Sequence, residues 1–266
     1  MNSEKVAHYI TDWMSDYLRK SGMSGYVVGI SGGIDSAVVS SLAARCGYRT
    51  LCALLPIHQA ASQVNRAVEH AESLRRRFPN VEVVDIDLTE AYDTFIASFG
   101  NRFIASQQQT DLANANARSR LRMTALYHCA GMNNLLVAGT GNKIEDFGVG
   151  FFTKYGDGGV DISPIADLVK TEVYELGHWL GVPESILNAA PTDGLFGDDR
   201  TDEQQIGASY PELEKAMNQV EASIDPQSLS ERERQVYDIY TRRNRANRHK
   251  MEPIPVCVVP AEIKGF

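Results

Sequence analysis

Short apolar runs that alternate with helix-length segments constrain the fold of this chain more than any other feature. The runs that we expect to form strands are Tyr26–Ile30, Thr50–Leu55, Val81–Asp87 and Asn134–Gly139. The segments between them that we expect to form helices are Asp35–Cys46, Ser62–Phe78, Leu88–Phe99 and Asp111–Gly131. Each run is nearly continuous in apolar residues, which is typical of strands buried on both faces. Because crossovers between parallel strands are right-handed, the alternation predicts an α/β fold with a doubly wound parallel sheet.

The pattern becomes mostly helical after residue 160. The helices that we expect there are Ile165–Leu180, Asp202–Val220 and Ser230–Asn247. Between them, Ala190–Thr201 is rich in Pro, Gly and Asp, which predicts a loop. The 266 residues contain no internal repeat and no long linker. We therefore expect a single domain over residues 1–266, with a helical C-terminal part.

Composition and charge argue against several classes of protein. The chain has 34 acidic against 26 basic residues, a net charge of −8, which disfavours a general nucleic-acid binder. No apolar run reaches the roughly 18 residues of a membrane span, and the N-terminus lacks the order of a signal peptide. The four cysteines are scattered singly, which indicates neither a zinc site nor a disulfide framework. A cytoplasmic protein is the natural expectation.

The most informative motif is GISGGIDS, which spans residues 29–36 directly after the first predicted strand. Gly32 and Gly33 allow successive backbone N–H groups to point at one anion, and the helix that begins here adds its positive end. Asp35 would repel a phosphate unless it holds a divalent cation, for which Mg²⁺ is the best candidate. The alternative is an ordinary tight turn with Asp35 as a helix cap. Neither GxxxxGK[ST] nor a GxGxxG turn is present, which excludes the two commonest phosphate loops.

A second polar cluster, GTGNKIE at residues 139–145, follows the fourth predicted strand. In an open parallel sheet, ligands bind beyond the carboxyl ends of the strands, where the strand order reverses. With the order 3-2-1-4, the first and fourth strands flank that crevice, and Asp35 and Glu145 could share one Mg²⁺. Taken alone, Glu145 would be read as a solvated carboxylate at the start of a helix.

Longer motifs add a resemblance to known families. SGGIDS resembles the pyrophosphate loop of the N-type ATP pyrophosphatases, which adenylylate an oxygen of their substrate. More specifically, FFTKYGDGGVD at residues 151–161 is similar to the signature of the NAD synthetases. Matches of the same family cover residues 5–255, with Ser119 in place of an alanine: NARSRLRM at 116–123, PIADLVKT at 164–171, PTDGL at 191–195, TDEQQIG at 201–207 and His249-Lys250.

The resemblance implies a role for each matched residue. It implies that ATP is bound by Gly29, Ile30, Ser31, Gly32, Gly33, Ile34, Asp35, Ser36, Thr140, Lys170 and Thr192. It implies that deamido-NAD is bound by Arg120, Lys154, Asp161, His249 and Lys250, and Mg²⁺ by Asp35 and Glu145. The catalytic residues would be Asp35, Lys170 and Asp157, of which Asp157 would lie near the reacting carboxylate and ammonia. The other basic residues of 242–250 are better explained as the solvent-exposed face of a helix.

The chain departs from the family pattern in two further places. The spacing from Glu145 to FTKYGDGG is one residue longer, which predicts a bulge between the Mg²⁺ ligand and the substrate loop. His249-Lys250 is followed by Met251 and Glu252, where basic residues are common in the family.

The activity that the resemblance implies is amidation of deamido-NAD, the last step of NAD biosynthesis, with ATP as co-substrate. A homodimer with the dinucleotide at its interface is implied as well. Because the first motif begins at residue 29, we expect no glutaminase domain and the use of free ammonia. Two alternatives stay open at this point: another N-type ATP pyrophosphatase, such as a tRNA-modifying enzyme, and a non-catalytic nucleotide sensor.

Overall fold

The computed structural model describes residues 1–100, 102–192 and 201–265, and its centre is a parallel sheet. The strands are β1 (Gly25–Gly29), β2 (Arg49–Leu54), β3 (Val81–Asp85) and β4 (Leu135–Val137). They lie side by side in the order β3-β2-β1-β4, which is the order that the expected crevice between the first and fourth strands requires. In register, Val27 of β1 lies opposite Leu51 of β2 and Val137 of β4.

Helices surround the sheet and form the C-terminal part. They are α1 (Ser3–Ser21), α2 (Ile34–Arg45), α3 (Ala61–Arg77), α4 (Thr89–Ala97), α5 (Gln107–Asn133), α6 (Lys170–Leu180), α7 (Glu184–Leu187), α8 (Asp202–Ile206), α9 (Tyr210–Glu221), α10 (Glu231–Met251) and α11 (Ala261–Lys264). A π-helix spans Lys143–Val149, and a 3₁₀ turn spans Pro226–Ser228. Among the described residues, none of these helices is both long and apolar enough to cross a membrane.

Alternate side chains of the strands point to opposite faces of the sheet. Tyr26 and Val28 join one core with α1, α2, α3 and α6, whereas Val27 joins another core with α5. Helices on both faces of a parallel sheet confirm the doubly wound α/β fold. A third core joins the π-helix to α8, α9 and α10, and it fixes the helical C-terminal part next to the end of β4.

Three sequence predictions need correction. The strand predicted at Val81–Asp87 is not buried on both faces: β3 lies at one edge of the sheet, and only Val81 within it is fully buried. The helix predicted from Ile165 begins at Lys170, after turns at 164–167. The helix predicted at Asp202–Val220 is two helices, since Gly207 takes φ = +94° and ends α8. The predicted loop Ala190–Thr201 lies mostly outside the described residues.

Candidate active site

The loop between β1 and α2 turns on Gly32, whose φ is +83°. A Cβ at Gly32 would lie 2.5 Å from the carbonyl oxygen of Gln63 on α3, so both the angle and the space require glycine. The hydroxyls of Ser31 and Ser36 lie 3.1 Å apart, and Ser36 donates to the carbonyl of Gly33 over 3.0 Å. The result is a compact turn at the N-terminus of α2, the kind of place where phosphates bind.

Asp35 and Glu145 meet at the ammonium group of Lys170. Asp35 lies in the first turn of α2, Glu145 in the π-helix after β4, and Lys170 at the start of α6. Nζ of Lys170 lies 2.6 Å from Oδ2 of Asp35 and 2.8 Å from Oε1 of Glu145, and the lysine side chain is 4% exposed. Because β1 and β4 are neighbours, the two carboxylates lie at the crevice predicted for them.

The charges of this triad depend on one another. Burial opposes the ammonium form of Lys170, but the two carboxylates outweigh it and raise the pKa of Lys170. Burial also disfavours the ionised form of Glu145, yet Lys170 and the hydrogen bonds to Glu145 lower its pKa. For Asp35 burial prevails, and the pKa is raised in spite of Lys170. The group is therefore a buried cation held by two carboxylates, of which Asp35 is the more easily protonated.

Two further residues hold the triad in place. Asn142 is fully buried; its amide donates to Oδ1 of Asp35 over 3.0 Å, and its oxygen accepts from the backbone N–H of Glu145 over 3.0 Å. The hydroxyl of Tyr210 donates to Oε1 of Glu145 over 2.5 Å. Sequence reasoning did not assign either residue a role. Asn142 lies within the quoted GTGNKIE cluster, whereas nothing in the sequence distinguishes Tyr210 from a core tyrosine.

The bulge that the longer spacing predicts, between Glu145 and the FFTKYGDGG loop, stays a prediction. Glu145 itself lies in the π-helix Lys143–Val149. Asp146, within it, is a site residue that sequence analysis missed. Its carboxylate packs against Gly141, where a Cβ would overlap with it. Burial, together with the nearby carboxylate of Asp157, raises the pKa of Asp146 well above its usual value. Asp146 and Asp157 both line the cavity that contains the triad.

Asp157 is anchored through one of its two carboxylate oxygens. Oδ1 accepts from Oγ of Ser119 over 2.7 Å and from the backbone N–H of Thr153 over 2.9 Å. Burial raises the pKa of Asp157, against these hydrogen bonds. The residue remains exposed to solvent, and it lines the cavity.

One cavity brings together the residues expected to bind ATP. It is lined by the whole of Gly29–Ser36 and by Thr140, Glu145, Asp157, Lys170 and Thr192. The structure thus assembles the expected ATP, Mg²⁺ and catalytic residues at one place.

The residues expected to bind deamido-NAD do not line this cavity. Four of them meet around the FFTKYGDGG loop: Nε of Arg120 donates to the carbonyl of Lys154, and Nζ of Lys154 donates to the carbonyl of His249 over 2.5 Å. Lys250 donates to the carbonyls of Gly150 and Phe152. Asp161 lies apart, since its carboxylate accepts from the hydroxyl of Tyr127 and the backbone N–H of Val137.

The chain is similar to known proteins over nearly its whole length. The family model described as NAD synthase matches residues 6–254. An NH(3)-dependent NAD(+) synthetase of Syntrophomonas wolfei is 36% identical over 265 residues, covering all of both chains. One of Archaeoglobus fulgidus is 38% identical and covers 97% of this chain and 98% of its own.

Among solved structures, an NMN synthetase from Francisella tularensis superposes with a TM-score of 0.83 at 32% identity, covering 98% of this chain and 99% of its own. An NH3-dependent NAD synthetase from Campylobacter jejuni superposes with a TM-score of 0.77 at 25% identity, covering 97% of this chain and 100% of its own. These matches give no support to a tRNA-modifying enzyme or to a sensor. Because the family model and full-length relatives cover nearly every residue, the chain belongs to the NAD synthase family.

Proposed function

We propose that this protein amidates deamido-NAD with ammonia at the expense of ATP, forming NAD, AMP and pyrophosphate. The observation that carries the proposal is the convergence of Asp35, Glu145 and Lys170 beside the glycine loop, in a cavity that also contains Asp157. Membership of the NAD synthase family supports it, as do the names of the full-length relatives.

In the first step, an oxygen of the nicotinate carboxylate attacks the α-phosphorus of ATP. The bond from that phosphorus to the bridging oxygen breaks, and pyrophosphate leaves. The backbone N–H groups of the Gly32 turn and the N-terminus of α2 hold the leaving pyrophosphate, and Lys170 supplies a positive charge beside it. Adenylylation gives the acyl carbon a good leaving group, which divides one hard reaction into two easier ones.

Asp35 and Glu145 would hold the Mg²⁺ that this chemistry needs. Their carboxylates already converge on one cation, the Lys170 ammonium, so the donor set fits a positive ion. A pair of carboxylates suits Mg²⁺, which commonly binds through one or two carboxylates together with substrate phosphates and water. When bound, Mg²⁺ neutralises charge that builds on the phosphates.

In the second step, the nitrogen of ammonia attacks the acyl carbon, the bond to AMP breaks, and the nitrogen loses a proton. We propose that Asp157, which lines the same cavity, orients the ammonia or accepts that proton. Its Oδ1 is fixed by Ser119 and Thr153, which prevents the carboxylate from rotating freely in the cavity.

We also propose a cytoplasmic homodimer with the dinucleotide at its interface. The chain's four cysteines are free thiols, in keeping with a reducing compartment. The residues expected to bind deamido-NAD lie outside the ATP cavity, as contacts to a distal part of a long substrate would. They are Arg120, Lys154, Asp161, His249 and Lys250. Large apolar side chains are exposed beside the N-terminal half of α5, namely Phe95, Phe103 and Leu112, and a second copy of the chain would cover them. Light scattering on the purified protein, in which a monomer would contradict the proposal, tests it.

A second candidate substrate is nicotinate mononucleotide, which would be amidated by the same two steps. It is favoured by the similarity to the NMN synthetase from Francisella tularensis. Both substrates carry the same reacting carboxylate, so the triad and Asp157 serve either one.

The decisive experiment supplies purified protein with ATP, Mg²⁺ and ammonium chloride, and with either deamido-NAD or nicotinate mononucleotide. We expect NAD and AMP to appear one for one from deamido-NAD, and glutamine to replace ammonium poorly. A higher kcat/KM with the mononucleotide would transfer the assignment to NMN formation. Folded protein that makes neither amide nor AMP would contradict the proposed function.

A further inference from the structure

Lys170 occupies the position that a metal ion between Asp35 and Glu145 would need. Its Nζ bridges the two carboxylates at 2.6 and 2.8 Å, and the Tyr210 ring lies 4.9 Å away on another side. A second cation cannot enter beside the ammonium without strong repulsion, because like charges a few ångströms apart in a buried site repel. Removal of the ammonium without a replacement would leave two buried carboxylates uncompensated.

We propose that Lys170 is a built-in cation that keeps the metal site filled until ATP binds. The phosphates of ATP would draw the ammonium away from the carboxylates, and a divalent ion would take its place, so that metal entry and the lysine's move to phosphate are one event. This inference rests on the metal role of Asp35 and Glu145 in the proposed function. It adds that the free protein binds the metal weakly and that the lysine itself is the reason.

The site's other contacts favour this exchange. Oδ1 of Asp35 stays bonded to Asn142, and Glu145 stays bonded to Tyr210, so both carboxylates remain in place when the ammonium leaves. Lys170 and the Gly29–Ser36 loop line the same cavity, so phosphates held by the loop face the lysine. A flexible four-carbon stem allows its ammonium to change partners without movement of α6.

Mn²⁺ binding without nucleotide tests the proposal, with electron paramagnetic resonance as the measurement of free Mn²⁺. We expect Lys170→Met to bind one Mn²⁺ per chain at least about tenfold more tightly than the wild type, because a competing charge is removed. Lys170→Gln, which keeps a hydrogen-bond donor, guards against a folding defect and should behave in the same way. Adding Asp35→Asn to Lys170→Gln should abolish the gain.

Lys143→Met is the matched control. Lys143 begins the π-helix that contains Glu145, but its Nζ pairs with the exposed Asp167 at 3.2 Å. This control should bind Mn²⁺ as the wild type does. Unchanged or weaker binding in both Lys170 variants would overturn the proposal, as would a gain that survives Asp35→Asn. No substrate is turned over, so failure to form NAD would leave these outcomes unaffected.

A different set of contacts carries a second inference. Oγ of Ser119 donates to Oδ1 of Asp157 over 2.7 Å and accepts from the backbone N–H of the same residue over 2.9 Å. Ser119 is 6% exposed, and a Cβ on the neighbouring Gly156 would overlap with its hydroxyl. One hydroxyl thus fixes both the main chain and the carboxylate of Asp157. We infer that Ser119 is a positioning residue that aims Asp157 at ammonia, which rests on the role proposed for Asp157.

Ser119→Ala should raise the KM for ammonium about tenfold, the equivalent of one hydrogen bond to a charged group, and leave the KM for ATP unchanged. Ser119→Cys keeps a weak donor, so its KM for ammonium should lie between the values of the wild type and of Ser119→Ala. Thr124→Ala is the control, since Thr124 lies on the same helix and donates to the carbonyl of Arg120 rather than to Asp157. Equal rises in both KM values, or none, would overturn the inference. If Asp157→Asn formed product as fast as the wild type does, the proposed role of Asp157 itself would be contradicted instead.

Discussion

The hydroxyl of Tyr210 and the ammonium of Lys170 donate to the same oxygen, Oε1 of Glu145, over 2.5 and 2.8 Å. Tyr210 starts α9, so this bond connects the C-terminal helical part to the site at the end of β4. Tyr210→Phe keeps the ring in its core and removes only the donor. We expect kcat/KM for ATP to fall about 10- to 100-fold, since a hydrogen bond to a charged group contributes about 1.5–3 kcal/mol. Steady-state kinetics at saturating ammonium measures the change.

Tyr240→Phe is the control for that substitution. Tyr240 belongs to the same buried core, but its ring packs against Gly148. Its variant should keep nearly the wild-type activity. An equal loss in both variants would mean that core packing, rather than the bond to Glu145, explains the effect.

Gly32 and Gly47 both have positive φ, but only Gly32 lies against another element. We expect Gly32→Ala to lose ATP binding, because its methyl group would press on the Gln63 carbonyl and displace either the loop or α3. Gly47→Ala is the control. It adds a similar backbone strain, of about 1–2 kcal/mol, but its methyl group would lie in open space. Isothermal titration with a non-hydrolysable ATP analogue measures both. Normal affinity in folded Gly32→Ala would contradict the importance of this turn.

His70 makes the stability of the protein depend on pH. Ser40 donates to the carbonyl of Ser36 over 2.7 Å, so it accepts from Nε2–H of His70 over 2.9 Å, and Nδ1 is buried without a partner among the described residues. Burial and the charge of Arg77 lower the pKa of His70 to about 4. Below its ordinary pKa of about 6.5, the unfolded chain binds a proton that the folded protein does not. The neutral histidine therefore stabilises the fold fully above pH 6.5, and this contribution is lost as the pH falls towards 4.

We expect the wild type to lose about 2 kcal/mol more than His70→Gln between pH 7.5 and pH 5, at about 1.4 kcal/mol per pH unit below 6.5. Urea unfolding at the two pH values measures the difference. If both proteins lost the same free energy of unfolding, His70 would not be the titrating group.

Much of the fold follows from local pattern. The order of strands and helices and the parallel sheet follow from apolar runs that alternate with helical segments. Where prediction failed, the reason was tertiary or local geometry that the pattern does not carry. The strand β3 has the composition of a buried strand, but it lies at the edge, and Gly207 divides a continuous helical pattern.

The candidate site shows the same division. The sequence by itself predicted the glycine loop, Asp35 and Glu145 from phosphate-binding motifs at the ends of strands, and Lys170 and Asp157 from the resemblance to the NAD synthetases. Only the tertiary structure decided that Lys170 bridges the two carboxylates, that Tyr210 and Asn142 hold them, and that Ser119 holds Asp157. These contacts join residues far apart in the chain. They arise because parallel strands bring their carboxyl ends to one edge of the sheet, and helical packing then selects which side chains meet there.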